Sequence, residues 1–367
     1  MAPTKTEKKK PFGEKIADIL NYSALNAAIA IGYRTGLFDI LEALGAPQTI
    51  DDISAASGAN ARYITEWLGI MTTGGIIEVS QNSDGNTFYH LPAEHAACLT
   101  RKAGSKNLAV YTQEIPLLTS LVFESIIKAF DSGEGLSYGH YPKFQAFMTE
   151  LANQKHQRLL IDEFLPSVLD GKLVDQLQQG IEVCDLGCGE GVALLLMAQA
   201  FPQSRFTGID ISTDALAKAR SNASAQQCAN ITFIQQDAGV LCEAPSWQNR
   251  FDYITAFDAI HDQTEPHKAL QGIYHLLKPG GLFSMIDIAA ESGHTGNLNH
   301  SMGPFLYTVS LLHCMPVGLY NNGAGLGMMW GRQKALEMLK HTGFKQIEVL
   351  KMDFDPFNYH YLARKLG

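Results

Sequence analysis

The sequence predicts an α/β protein in two parts: a helical N-terminal domain followed by a domain built on a seven-stranded, mostly parallel sheet. Three observations predict it. Before residue 104, apolar positions recur at helical steps and end in one hairpin pattern. After residue 176, apolar runs of strand length alternate with helical stretches. Between them in kind is a Gly-rich turn, VCDLGCGEG at 183–191, which joins the first such run to a helix. A chain of 367 residues exceeds the usual single core, so two domains are expected.

Taken in order, MAPTKTEKKKP has charges but no apolar segment behind them, so residues 1–13 read as a solvated tail and not as a secretory signal. In 14–103, Leu25, Ala28, Ile29, Leu37 and Ile40 follow helical spacing. Thr49 caps a second stretch that Gly58 closes, and ANARYITEWLGIMTTGG forms a third. IIEVSQNSDGNTFYHL then reads as two short strands about an Asp-Gly turn. Helices followed by a hairpin make a winged-helix-like pattern. Between Glu14 and Thr100, however, three basic residues (Lys15, Arg34, Arg62) face ten acidic ones, which disfavours a DNA-reading helix. An interaction or dimerisation domain is the stronger expectation, and a homodimer is expected.

Residues 104–175 read as helices interrupted by the Gly- and Tyr-rich DSGEGLSYGHYPKF, a linker and pocket segment. From 176 to 367 come IEVCDL, RFTGIDI, ITFIQQD, FDYITAFD, GGLFSMIDI, KQIEVLKM and FNYHYLARK. The link between the last two is too short for a crossover helix, so the final strand should be antiparallel. Residues 289–330 form a connection far longer than the usual four to six residues and read as a lid or acceptor-pocket insertion.

Composition excludes several classes. No apolar run approaches the roughly 18 residues a membrane helix needs. A net charge of −9 with no basic stripe outside the tail argues against a nucleic-acid partner. The six cysteines match no disulfide or zinc spacing, so reduced thiols and a cytoplasmic location are expected. His294, His300 and His313 form no helical i, i+4 pair, and no metal is expected.

The glycine loop is the strongest motif. Glycines 187, 189 and 191 permit a tight turn and a close ligand approach, and the next helix offers free N–H groups. A dinucleotide fingerprint would need glycine at 192, where this chain has valine. Asp185 beside a pyrophosphate would also be repulsive. A ligand carrying a cation and a carboxylate, such as the amino-acid end of S-adenosylmethionine (SAM), suits the loop better. Asp210 ends the second sheet strand, where it can accept from ribose hydroxyls, and Asp237 ends the third, where an adenine amino group can donate.

With these residues in hand, DLGCGEG, GID, QDA and LLKPGGL together resemble the motif set of the class I SAM-dependent methyltransferases over residues 181–290. The resemblance implies a Rossmann-like SAM-binding domain. In it Gly187 and Gly189 hold the methionine part, Asp210 the ribose and Asp237 the adenine. The expected cofactor site comprises Asp185, Gly187, Cys188, Gly189, Asp210, Ile211, Asp237, Ala238, Phe257 and Asp258. ALNAAIAIGYRTGLFDIL and the helices after it resemble the opening of small-molecule O-methyltransferases that dimerise through an N-terminal winged-helix domain.

In those enzymes a His-Asp pair lies at a similar distance before the P-G-G turn, and its histidine is a general base. Here His261 and Asp262 of AIHDQ are the counterparts, with Gln263 where the family commonly has tryptophan. An imidazole's pKa of about 6.5 suits proton abstraction from a hydroxyl. His261 is read either as base or as polar orienter; the family's orienting acids have no motif here, and Glu291 is the candidate. Tyr138, Tyr141, Tyr307 and His313 are expected to line the pocket for a small, mainly apolar or aromatic acceptor. The expected activity is methyl transfer to a small molecule, most readily at oxygen. The alternatives are an S- or N-methyltransferase and a non-catalytic SAM-binding regulator.

Overall fold

The computed structural model describes residues 11–142, 144–243 and 245–367. These divide into two compact units, one ending at Pro116 and one running from Leu117 to Gly367. Of the expected tail at 1–13, residues 1–10 lie outside the described residues, and Phe12 and Gly13 belong to the first helix. The boundary also differs from that expected. Residues 104–116 cluster with the N-terminal unit and 117–175 with the sheet unit, so the segment 104–175 is divided between them.

The first unit contains α1 (Phe12–Thr35), α2 (Leu37–Leu44), α3 (Ile50–Ser57), α4 (Ala61–Thr73), the hairpin β1 (Glu78–Gln81) and β2 (Thr87–His90), α5 (Ala93–Leu99) and the start of α6 (Glu114–Ser132). Gly36, at φ 74°, lets α1 end and α2 begin without a break in the chain's turn. Thr49 and Asp52 form a reciprocal capping box at α3, and Gly58 ends that helix in the left-handed region. The core closes on Trp67, whose indole donates to the Ala28 carbonyl at 2.9 Å and packs edge-on to Phe38. Gly32 is required there, because a Cβ would come within 2.5 Å of the Trp67 ring.

The second unit continues with α7 (Phe144–Leu159), the single turn α8 (Leu165–Ser167) and α9 (Lys172–Gln179). The sheet region follows with β3 (Glu182–Leu186), α10 (Val192–Ala200), β4 (Arg205–Asp210), α11 (Thr213–Ala225), β5 (Ile231–Gln235), β6 (Phe251–Phe257), α12 (Pro266–Leu276) and β7 (Leu277–Ile288). After it come α13 (Gly303–Val309), α14 (Met315–Leu319), α15 (Gly331–Thr342), β8 (Lys345–Met352) and β9 (Asp355–Arg364). The sheet order is β5-β4-β3-β6-β7-β9-β8. β9 runs antiparallel to both neighbours, as the short link predicts, and every other pairing is parallel.

Both faces of this sheet are covered, which is why its strands read as continuous apolar runs. Leu194, Met197 and Leu216 pack with Phe206 and Phe233 in one cluster, and Leu270, Ile273 and Met338 with Ile254 and Phe283 in another. Each such buried side chain stabilises the fold by about 1.5–3 kcal/mol. The strand order reverses between β3 and β6, so the loops after those two strands open at the switch point where ligands bind in such sheets.

The expected insertion is helical. Residues 289–330 include α13, a π-helical turn at Ser310–Cys314 and α14. It is tied to the 133–141 loop: the Leu136 amide donates to the Pro316 carbonyl at 2.9 Å, and a Cβ on Gly135 would come within 2.2 Å of the Tyr320 nitrogen. It also reaches the segment after β6, where the Ala324 amide donates to the Thr264 carbonyl at 2.8 Å.

Candidate active site

The loop after β3 is laced to the end of β4. The Gly187 amide donates to the Ile209 carbonyl at 2.8 Å, and Cys188 shares that acceptor at 3.2 Å. Asp210 accepts from the Gly189 amide through one oxygen and from the Ser212 amide through the other, each at 2.8 Å. A carboxylate has about four acceptor sites, so ribose hydroxyls can still donate to it. The glycines differ in purpose. A Cβ on Gly187 would meet the Ala259 Cβ at 2.6 Å, so that position serves packing, whereas nothing lies within 4 Å of a Cβ built on Gly189. The loop therefore leaves an open cradle above Gly189, at φ 53°.

Asp185 is buried at the end of β3 and accepts from the Thr255 hydroxyl at 2.7 Å. Burial pushes its carboxyl up to about 7; the Thr255 bond opposes this, and the Asp210 charge adds to it. Asp185 and Asp210, neighbouring acids beside the open space at Gly189, fit a ligand that carries a cation. They do not fit a pyrophosphate.

The remaining residues of the expected cofactor site occupy nearby strand ends. Ile211 follows β4 and is exposed, and Cys188 is buried. Asp237 accepts from the Gly239 amide at 2.8 Å, and Ala238 is buried beside it. Phe257 packs edge-on to His156 and Phe164. Asp258 adopts φ 50° and faces Lys155 at 3.8 Å.

His261 is 2% exposed, and its Nδ1 lies 2.8 Å from Asp287 Oδ1 at the end of β7. Burial by itself would lower the imidazole's proton affinity. The Asp287 charge, Cys314 and their hydrogen bonds to the ring outweigh it and hold His261 well above its ordinary value. Asp287, not the expected Glu291, thus orients the ring; Glu291 instead bonds Arg332 and Gln333. Asp262 is not the partner of His261 either. Its carboxylate accepts from the Tyr138 hydroxyl at 2.8 Å.

Of the expected acceptor residues, three converge and one does not. His313 packs against Tyr141 at 4.8 Å, Tyr138 at 6.1 Å and Phe144 at 4.4 Å between ring centroids. Burial, with the nearby His261 charge, pushes its imidazole down to about 3, so it is neutral. The Tyr141 hydroxyl donates to the Leu312 carbonyl at 2.8 Å. Tyr307 instead joins Asn297 and His294 within the insertion. Sequence reasoning missed Asp287, Thr255, Phe144 and Cys314. The signal for Asp287 was present: an acid inside the apolar run SMIDI at a strand end, in the manner of Asp210.

Fold and site together define a SAM-dependent methyltransferase domain. Residues 177–310 match the family described as a methyltransferase domain, and residues 23–101 match the Rv2258c-like winged HTH domain. An uncharacterized methyltransferase of Synechocystis is 30% identical over 118 residues, 32% of this chain and 51% of the relative, so the match spans about half of that protein's length. A ubiquinone biosynthesis O-methyltransferase of Coxiella burnetii is 28% identical over 198 residues, 50% of this chain and 76% of the relative. Among solved structures, human N-acetylserotonin methyltransferase in complex with SAM is similar over 100% of both chains, with a TM-score of 0.65 and 17% identity. A putative O-methyltransferase from Nostoc punctiforme reaches 0.70 at 16% identity, covering 97% of this chain and 100% of its own. The chain thus combines a winged-helix domain with a SAM-dependent methyltransferase domain.

Proposed function

We propose that the protein transfers the methyl group of SAM to the hydroxyl of a small, largely aromatic molecule. The observation that carries this reading is the buried His261–Asp287 pair, which Cys314 links to His313 within a cluster of Tyr138, Tyr141 and Phe144. Such a cluster takes a flat, weakly charged acceptor. Asp185, Gly189, Asp210 and Asp237 are the residues assigned to the cofactor, which when bound supplies an electrophilic methyl on a sulfonium. The chain's own work is to orient the acceptor, exclude water and accept the acceptor's proton at His261 Nε2. Asp287 fixes the ring through Nδ1 and stabilises the resulting imidazolium. Asp262 and Tyr138 form a polar rim that positions the acceptor.

The test is incubation with deuterated-methyl SAM and panels of phenols, thiols and amines, followed by mass spectrometry. Labelled phenols that are lost with His261→Ala support O-methylation. Labelling of thiols or amines that survives that substitution would replace it with the S- or N-methyl reading.

A homodimer is part of the same proposal. Phe12, Ile16, Ile19 and Leu20 fall on one side of α1 and remain exposed, as they would before a second copy covers them. No described helix is long and apolar enough to cross a membrane. With six free cysteines, a reducing cytoplasmic location is the reading that suits the chain.

A further inference from the structure

The methyl-transfer reading, on whose site this inference rests, leaves one side chain unused, the thiol of Cys314. Cys314 is buried at the end of the π-helical turn Ser310–Cys314, a local irregularity of the kind that re-aims side chains at functional sites. Its thiol hydrogen-bonds the imidazole of His261. Its Sγ also lies 3.5 Å from Nδ1 of His313. On the other side of His261 stands Asp287, fully buried, with Oδ1 held by the ring and by the Ile288 amide and with Oδ2 lacking a partner. The sequence of contacts is thiol, imidazole, carboxylate.

We propose that Cys314, His261 and Asp287 form a nucleophilic thiol relay inside the proposed acceptor site, a covalent-capture site for small uncharged electrophiles. The pattern meets the geometric requirement for an activated nucleophile, since the base lies within hydrogen-bond reach and a third group orients the base. The proton of Cys314 passes to His261 Nε2, leaving a thiolate beside an imidazolium that Asp287 stabilises. Neutral His313 can offer a second N–H to the sulfur. The raised proton affinity of His261 agrees with this direction of transfer. With iodoacetamide as electrophile, the sulfur forms a bond to the reagent's methylene carbon, the carbon–iodine bond breaks, iodide leaves and the proton stays on His261. Burial restricts the site to reagents of about this size.

The test is pH-dependent alkylation of the intact protein with iodoacetamide, without SAM or acceptor, each cysteine being quantified by peptide mass spectrometry. Exposed Cys98 is the reference thiol in the same molecule. A thiol with a pKa of about 8.5 loses about 50-fold in rate between pH 8.5 and 6.5. Cys314 is expected to lose less than about threefold over that range, and His261→Gln is expected to restore the steep dependence. A Cys314 profile parallel to that of Cys98, or no labelling of Cys314 in the folded protein, overturns the proposal. The wild-type profile decides even if the variant is unstable. Because no methyl donor is present, failure here leaves the methyl-transfer reading standing, and failure of that reading leaves this one standing.

Discussion

At the residue scale, the proposed base His261 is held through Nδ1 by Asp287 at 2.8 Å. Because Asp287 and Cys314 raise the imidazole's proton affinity, the base form is populated only above the ordinary histidine range. The kcat/KM for a hydroxyl acceptor should therefore rise with pH beyond about 6.5. Asp287→Asn should move the inflection downward and reduce the maximal rate, as read from a pH–rate profile. His261→Ala should lower kcat by about 10²- to 10⁴-fold, the usual contribution of a general base. Asp185 supports a prediction independent of the acceptor. Its carboxyl is held up to about 7, and a cationic ligand prefers the ionised form. SAM affinity should tighten between pH 6 and 8 with release of a proton, detectable by calorimetry in buffers of different ionisation enthalpy. An affinity that is flat with pH would remove Asp185 from the cation's contacts.

At the element scale, the β3–α10 loop separates packing from ligand space. Gly187→Ala places a Cβ 2.6 Å from Ala259 at a left-handed φ of 74° and should lower the melting temperature as well as SAM binding. Gly189→Ala meets no atom, so it should cost only the left-handed strain of about 1–2 kcal/mol in stability while filling the cradle. Thermal unfolding with and without SAM separates the two effects. Both glycines were legible in the sequence as members of one motif, but not their different duties. Those depend on whether Ala259, from the loop after β6, stands opposite. The same limit explains Tyr307. Its place in a long insertion suggested the pocket, yet the fold of that insertion turns it toward Asn297.

At the scale of the molecule, the winged-helix unit is acidic, and its Arg62 and Arg101 are paired with Glu66 and Asp39. The chain should therefore show no salt-dependent retention of duplex DNA; retention that weakens with rising salt would favour a regulator. Buried Glu114 affects stability. Burial raises its carboxyl to about 8 from an unfolded value near 4.5, so its favourable contribution is complete below about pH 4.5 and is lost as pH rises through 8. Glu114→Gln should accordingly unfold at a higher temperature than the parent at pH 8 and at about the same temperature near pH 4.5. The proposed homodimer predicts that replacing Leu20 by glutamate shifts light-scattering mass from dimer to monomer without unfolding the chain.

The seven strands, the antiparallel last one, the glycine loop and the acids at successive strand ends were all legible in the order of residues. Each of these depends on local periodicity or on spacing across a single turn. The sequence also brought His261 into view, because a motif order fixed the strand it follows. Only the tertiary structure decided which carboxylate holds that histidine, since Asp262 is its neighbour in sequence and Asp287 is its neighbour across two parallel strands. The same applies to Cys314, brought to the imidazole by a π turn in a segment with no periodicity to read. Parallel pairing and long insertions join residues far apart in the chain, and the interactions that select those partners act through space, leaving no regular trace in the order of residues.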